Sequence, residues 1–279
     1  MNTPLGIRSV VITGASSGIG QACALRLHQS GFRVFAGVRT EADAQAIRKQ
    51  GEGRLQPLFL DVTISESIAA ARDTVEAAVH PGGLYGLVNN AGIPLGGPLE
   101  FLDLNDIRCL FDVNLFGAIS VSQALLPLLR RARGRIVNIS SSGGLLALPF
   151  MGPYAASKFA MEAISDSLRV ELRPWGIAVS VVEPGAIATP IWEKGACTAR
   201  HALKAMPPVA LELYAPALSI LQNIQVHGLP PTEVAKRVEH ALTARRPRAR
   251  YPVGRNARIF ALIRHLPVRL RDRLIARYL

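Results

Sequence analysis

Short apolar runs exchange with longer stretches of helical spacing along most of this chain. "SVVIT" (9–13) is followed by "IGQACALRLHQS", a helical pattern that stops at Gly31. "RVFAG" (33–37) precedes a helix over 41–50, and "LQPLFL" (55–60) precedes one over 66–79. "LYGLVNN" (84–90) leads to a long helix over 104–131, with a kink expected at Pro127. "RIVNIS" (135–140) leads to a helix over 155–172, and "IAVSVVE" (177–183) is a sixth strand. The runs are continuous rather than alternating, which marks strands buried on both faces and so a parallel sheet. Repeated strand–helix units with short turns predict an α/β fold, a doubly wound parallel sheet of Rossmann type with helices on both faces.

After residue 183 the rhythm breaks. Residues 186–230 read as an irregular insertion, and a helix over 232–245 follows "LPPT", with Thr232 as its N-cap. Residues 255–279 read as two helices split at Pro267. The division expected is one domain over 1–254, with the insertion in it, and a basic helical C-terminal extension over 255–279.

A hydrophobic content of 49% with 19% charged residues excludes a disordered chain. The net charge of +12 is uneven: residues 245–279 hold eleven arginines and one acid, leaving +2 for the other 244 residues. A nucleic-acid partner, which needs a basic footprint on the body of the fold, is therefore not expected. Three cysteines (Cys23, Cys109, Cys197), without a C-x-x-C pair, suit a reducing, cytoplasmic compartment and give no metal site. No signal peptide is read at the N-terminus. The most hydrophobic long segment, 209–226, is broken by Glu212 and Pro216, so no membrane-spanning helix is expected.

Four places can carry chemistry. The first is "TGASSGIG" (13–20), a glycine-rich turn between strand one and helix one. Gly14, Gly18 and Gly20 let backbone approach a pyrophosphate, and the helix N-terminus offers free N–H groups. The stretch also matches the G-x-S-x-G elbow of hydrolases at Ser16, but only 15 residues precede that serine, too few for the strands such enzymes need. A Walker loop is excluded because no Gly-Lys-Ser/Thr follows. The second is "AGVRT" (36–40), where no acid precedes Glu41 and Arg39 stands where a 2′-phosphate would lie. This favours NADP, with NAD as the other possibility.

The third place comprises Asp61 and Val62 after strand three and "NNAG" (89–92) after strand four, at the carboxyl edge where open α/β sheets bind ligands. The fourth is "ISSSGGLLALPFMGPYAASKFA" (139–160), with serines at the end of strand five and Tyr154 and Lys158 on the next helix. Residues four apart share a helix face. An ammonium beside a phenol favours the phenolate and draws the tyrosine pKa down towards working pH, which suits proton exchange with an alcohol oxygen.

These motifs, together with Asn114 in "FDVNLFG" and "EPGAIAT" (183–189), resemble in kind and order the short-chain dehydrogenase/reductases over residues 9 to about 190. The resemblance implies hydride transfer between a nicotinamide and a carbonyl or alcohol. It makes Tyr154 the acid/base, Lys158 the residue that tunes it and holds the ribose, Ser141 the residue that orients the substrate oxygen, and Asn114 part of a proton relay. Thr13, Gly14, Ser16, Ser17, Gly18, Ile19 and Gly20 would line the dinucleotide. Asp61 and Val62 would contact adenine, Asn90 its ribose, and Ala91 and Gly92 would adjoin it. Pro184, Gly185, Ile187 and Thr189 would border the nicotinamide. "VFAGVRT" and "YAASKFA" are similar to the 17β-hydroxysteroid and retinol dehydrogenase branches, which implies lipophilic substrates. A catalytically silent nucleotide-binding scaffold is the other reading, disfavoured because all four catalytic positions are filled.

The resemblance also implies that the segment after strand six covers the substrate; there it offers Ile187, Ile191, Trp192, Met206, Val209, Leu213, Tyr214, Leu218 and Leu221, and Leu145, Leu146, Leu148, Phe150 and Met151 would form the opposite wall. Few charges interrupt them, which suits an apolar substrate. In the tail, Leu270, Leu274 and Tyr278 share one helix face, with Arg269, Arg273 and Arg277 elsewhere. Such a helix can lie on an anionic membrane, dock on the fold or roof the pocket, and docking or roofing is favoured. The resemblance further implies a homodimer or homotetramer packed through the helices starting near Leu104 and Ala155.

Overall fold

The computed structural model describes residues 7–51, 53–190, 208–210, 212–214 and 228–276. The expectations placed on Ile191, Trp192, Cys197, Met206, Leu218, Leu221, Arg277 and Tyr278 lie outside these residues.

Seven strands form one parallel sheet: β1 (Ser9–Ile12), β2 (Arg33–Val38), β3 (Leu55–Phe59), β4 (Gly86–Asn89), β5 (Arg135–Ile139), β6 (Ala178–Pro184) and β7 (Arg250–Val253). Their order is β3-β2-β1-β4-β5-β6-β7, so the chain starts in the middle and winds outward both ways. β1 and β4 are buried throughout, as continuous apolar runs require. β3 is an edge strand and is only partly buried, at Leu55 and Leu58, with Pro57 tolerated because no outer neighbour needs its N–H. β7 was not foreseen: "RYPV" is short, polar at its start and interrupted by Pro252, as an edge strand permits.

Nine helices are used below: α1 (Gly18–Gln29), α2 (Glu41–Gln50), α3 (Ser65–Val79), α4 (Leu104–Phe111), α5 (Gly117–Ala132), α6 (Gly152–Glu171), α7 (Pro231–Thr243), α8 (Arg255–Ile263) and α9 (Val268–Ala276). One face of the sheet packs α1, α2 and α7 through Cys23, Leu27, Ile47, Val234, Val238 and Leu242. The other packs α3 and α5 through Ile68, Val75, Leu125 and Leu128, and continues to Leu172 at the end of α6. Both layers cover apolar strands, which is the hydrophobic basis of the architecture.

Three local expectations need correction. The long helix is interrupted not at Pro127, which α5 accommodates, but at a π turn over Asp112–Phe116. Helix α7 starts at Pro231, with Pro230 at the N-cap position. Thr232 is inside the helix, because proline's fixed φ suits the first helical position. Finally, although no spanning helix was expected, Leu104–Ala132 is long and apolar enough to cross a membrane, the one such stretch among the described residues. Its inner face is committed to the fold: Val121, Leu125, Leu128 and Leu129 are core residues.

A buried polar ladder crosses the sheet beneath the site. Asn89 on β4 donates to Ser122 of α5 at 2.9 Å and to Asn138 on β5 at 2.8 Å. Asn138 donates to Ser165 of α6 at 2.8 Å. The two serines donate in turn to carbonyls of their own helices. The two amide nitrogens are satisfied only while α5 and α6 hold their places on the sheet, and Asn89 Oδ1 is left without a partner among the described residues. Asn138→Leu keeps the size and removes the amide. It should lower unfolding stability by about 2–4 kcal/mol, through stranded partners at about 1–3 kcal/mol each, read from urea unfolding midpoints.

Candidate active site

The glycine loop between β1 and α1 is held from two sides. Thr13 Oγ1 accepts the backbone N–H groups of Asn90 and Ala91, both at 2.9 Å. The Asn90 side chain donates back to the carbonyls of Thr13 (2.9 Å) and Gly14 (2.8 Å). The amide donors of Asn90 are thus spent on shaping the loop. Gly14 sits at a φ of +63°, and a Cβ there would lie 2.9 Å from Ala91 Cα. A Cβ on Gly20 would collide with the Gly14 carbonyl oxygen and the Asn90 amide. The turn can close in this form only with glycine at these positions, and this cradle at a helix N-terminus fits a pyrophosphate. Ser17 occupies the N-cap of α1 without a side-chain capping bond, and Ser16 and Ile19 are half-buried beside it. A Cβ on Gly18 would lie 3.2 Å from Thr189, so the far end of the site folds back over the loop.

At the other end of the groove, Arg39 Nη1 lies 4.0 Å from Asp61 Oδ2, with the arginine side chain largely exposed. Asp61 Oδ1 accepts from the Thr63 backbone at 3.0 Å and from its hydroxyl at 2.7 Å. Burial pushes the Asp61 carboxyl up, but the Thr63 hydrogen bonds and Arg39 outweigh it and hold it below the usual carboxylate range. Val62 is buried, and its side chain lies where a Cβ on Gly117 would be. It serves the core rather than presenting a side chain to a ligand.

The chemistry-bearing groups meet where β4, β5 and the π turn converge on α6. Proline at the second position of α6 starts the helix, and Tyr154 and Lys158 follow one turn apart. Lys158 is buried, and its Nζ donates to the Ile139 carbonyl at the end of β5, at 3.0 Å. The ammonium sits 5.9 Å from the centroid of the Tyr154 ring. Ser141 caps a short 3₁₀ turn over Ser142–Gly144 by accepting the Gly143 N–H at 3.0 Å, and its hydroxyl and the Tyr154 ring converge beside Gly143. Ser140, by contrast, is buried. The geometry therefore singles out Ser141 among the three serines.

Asn114 lies in the π turn and is almost wholly buried. Its Oδ1 accepts the Ile93 N–H at 2.8 Å, and its Nδ2 donates to the Ile93 carbonyl (3.0 Å) and to Ser157 Oγ (3.1 Å). Ser157, which the sequence reading passed over although it stands inside YAASK, donates to the Tyr154 carbonyl at 2.8 Å. It links the π turn to the helix of the tyrosine. A Cβ on Gly92 would lie 3.3 Å from Asn114 Oδ1 and 3.6 Å from Lys158 Nζ, so a side chain there would crowd Asn114 at the strand end.

The electrostatics correct one expectation. Burial raises the Tyr154 pKa above its ordinary value, and the Ser141 hydrogen bond opposes this without cancelling it. The same burial lowers Lys158 to about 8. The lysine does not draw the tyrosine towards neutrality here, because its ammonium is directed at a carbonyl rather than at the phenol oxygen.

Pro184 ends β6, Gly185 donates to the Val253 carbonyl at 2.9 Å, and Ile187 is buried and bridges to Leu229. Of the apolar residues read from the sequence as pocket walls, Leu145 and Leu146 are core residues, whereas Leu148, Val209 and Leu213 are exposed. Tyr214 stacks edge-on against Phe101 and Phe150 (6.0 Å each) and donates to Glu100 at 3.0 Å. Phe101 and Glu100 had no sequence signal as wall residues, since they stand in a Gly- and Pro-containing stretch, "IPLGGPLEFL" (93–102), without regular helix or strand spacing. In the tail, α8 packs against β7 and the Ser142–Gly144 turn through Ala257, while α9 buries no residue.

A family model described as short chain dehydrogenase matches residues 8–198. The chain is 42% identical to retinol dehydrogenase 5 of Homo sapiens over 95% of its own length and 87% of that protein. It is 41% identical to 17-beta-hydroxysteroid dehydrogenase type 6 of Bos taurus, covering 96% and 87%. The structure of a short-chain dehydrogenase from Streptomyces avermitilis superposes with a TM-score of 0.78 at 28% identity, covering 99% of this chain and 96% of that one. With the glycine cradle and the Ser141–Tyr154–Lys158 constellation, these likenesses place the chain in the short-chain dehydrogenase/reductase family, as an NAD(P)-dependent oxidoreductase.

Proposed function

We propose that the protein transfers hydride between a nicotinamide cofactor, preferentially NADP(H), and a lipophilic carbonyl or alcohol of steroid or retinoid size. The observation that carries this reading is the convergence of the Ser141 and Tyr154 side chains beside Gly143, one helical turn from the buried Lys158. The bound nicotinamide supplies or accepts the hydride. In the reductive direction, Ser141 holds the substrate oxygen and the Tyr154 hydroxyl gives it a proton. Lys158 brings positive charge to the site, and Asn114 fixes the strand end and helix that enclose it.

Apolar side chains support the substrate class. Phe150 and Met151 directly precede α6, and Phe101, Phe150 and Tyr214 form an aromatic cluster beside exposed Leu148 and Leu213. The relatives named for retinol and hydroxysteroids agree with this. For the cofactor, the support is Arg39, whose planar donors suit a 2′-phosphate at the end of β2. The catalytic unit spans 1–254. Exposed Leu104, Phe116 and Phe159 on the long helices offer an apolar face for self-association.

The test is oxidation of NADPH and NADH in the presence of steroid ketones, retinal and simple aryl and alkyl carbonyls. Turnover should fall by at least about a hundredfold in Tyr154→Phe, within the range attributed to a positioned general acid. Retained turnover in that variant would exclude the tyrosine mechanism. Arg39→Ala should reduce the preference for NADPH over NADH roughly tenfold, the weight of one lost charged contact. An unchanged ratio would remove Arg39 from cofactor selection. The pH profile supplies a third test. Lys158 is an ammonium below its pKa of about 8 and neutral above it, so reductive kcat should decline as pH rises through that value. A profile flat from neutrality to pH about 10, the ordinary tyrosine value, would show that the lysine charge is not needed.

A further inference from the structure

Tyr154, Lys158, Glu162 and Asp166 lie at successive four-residue steps on α6 and so form one stripe. The upper pair is the site just described. The lower pair is gripped by a single guanidinium from the edge strand β7. Arg250 Nη1 pairs with Glu162 Oε2 and lies 3.0 Å from Glu183 Oε1, while Nη2 lies 2.7 Å from Asp166 Oδ2. Glu183 is on β6, directly before the Pro184-Gly185 corner at the end of the strand. Arg250 thus joins the catalytic helix to the strand end that the proposed function places against the nicotinamide.

Two further charges face this cluster. Arg169 pairs with Asp166, and Arg264, at the end of α8, acts on both Glu183 and Arg250. Burial pushes the Glu183 carboxyl up to about 7. Glu162 Oε1 and Ser140 Oγ are buried without a partner among the described residues. A Cβ on Gly144 would meet Ser140 Oγ and the Glu162 side chain together. The acidic cluster therefore reaches the turn that presents Ser141.

We infer that Arg250 is a positioning residue for catalysis: by tying Glu162 and Asp166 to Glu183, it fixes Tyr154 and Lys158 relative to the cofactor-bearing end of β6. This rests on the catalytic reading of Tyr154 and Lys158. A planar fork can reach three carboxylates on two elements, whereas an ammonium is a single point of contact, so Arg250→Lys restores the position only in part.

The experiment follows Tyr154 directly. In the full-length protein, phenolate absorbance is titrated against pH, with Tyr154→Phe subtracted as the blank. It is compared among the wild type, Arg250→Lys, Arg250→Met, and Arg250→Met combined with Glu162→Gln and Glu183→Gln. In Arg250→Met the Tyr154 pKa should fall towards the ordinary value of about 10 as α6 loosens and admits water, with Arg250→Lys between. Reductive kcat should drop roughly tenfold or more, as misplaced reacting groups produce, with little change in cofactor KM. The neutralised triple variant removes the stranded carboxylates. It should recover the melting temperature without recovering kcat. An unmoved Tyr154 titration in folded Arg250→Met, or kcat returning together with the melting temperature in the triple variant, overturns the inference. Failure of the catalytic reading shows separately, as turnover retained in Tyr154→Phe. The titration still decides whether Arg250 sets the place of Tyr154.

Discussion

The site depends on the burial of one ammonium. Taking a lysine out of water disfavours its charged form, and a backbone carbonyl offers only a dipole in compensation. Lys158 accordingly has its pKa pulled down to about 8 while its Nζ is fixed on the Ile139 carbonyl at the end of β5. That bond fixes one point at which α6 meets the sheet. With Lys158 anchored on β5, Tyr154 lies one turn towards the open end of the groove, where Ser141, two residues beyond Ile139, meets its hydroxyl. Strand end, serine and tyrosine are therefore parts of one local construction.

A single bond could not hold so long a helix, and α6 is fixed at further levels. Near its start, Ser157 links it to Asn114 of the π turn. Lower down, Ser165 receives the end of the Asn89–Asn138 ladder, and Glu162 and Asp166 are held by Arg250. The π turn supplies something a regular helix would not. Its extra residue rotates Asn114 inward, where the side chain clamps both backbone groups of Ile93. The strand end carrying Gly92 is thereby locked against Lys158. Polar groups buried in this number specify one arrangement, because any other leaves donors without acceptors.

The fold was legible because its signals are local and repeated. Six of the seven strands and the helices between them are visible as apolar runs and periodic spacing, and the glycines of 13–20 disclose their turn by residue type alone. What the sequence hid is relational. β7 is too short and too polar to announce itself, and it exists because β6 offers a free edge. The π turn has no composition of its own. Ser157 is indistinguishable in sequence from a solvated helix serine, yet it is wholly buried. Arg250 reads as one of eleven tail arginines, and only the topology brings it to Glu162 and Glu183. The tyrosine pKa was misread for the same reason: spacing places a lysine near Tyr154, but burial and the direction of the ammonium decide the sign.

That sign bears on which half of the chemistry the resting protein is prepared for. With Tyr154 held above its ordinary pKa and Lys158 lowered to about 8, the pair at neutral pH is a phenol beside an ammonium. On the roles proposed, a phenol is the form that gives a proton to a carbonyl oxygen. Accepting one from an alcohol requires first removing the phenol proton in a site where burial opposes the phenolate. The burial that positions the pair thus makes the two directions unequal at neutral pH. Raising the pH erodes the difference by ionising the tyrosine, whereas discharging the lysine removes positive charge from the site and works against the phenolate. Any group that brings positive charge closer to the Tyr154 oxygen than Lys158 does alone would lower its pKa and favour oxidation.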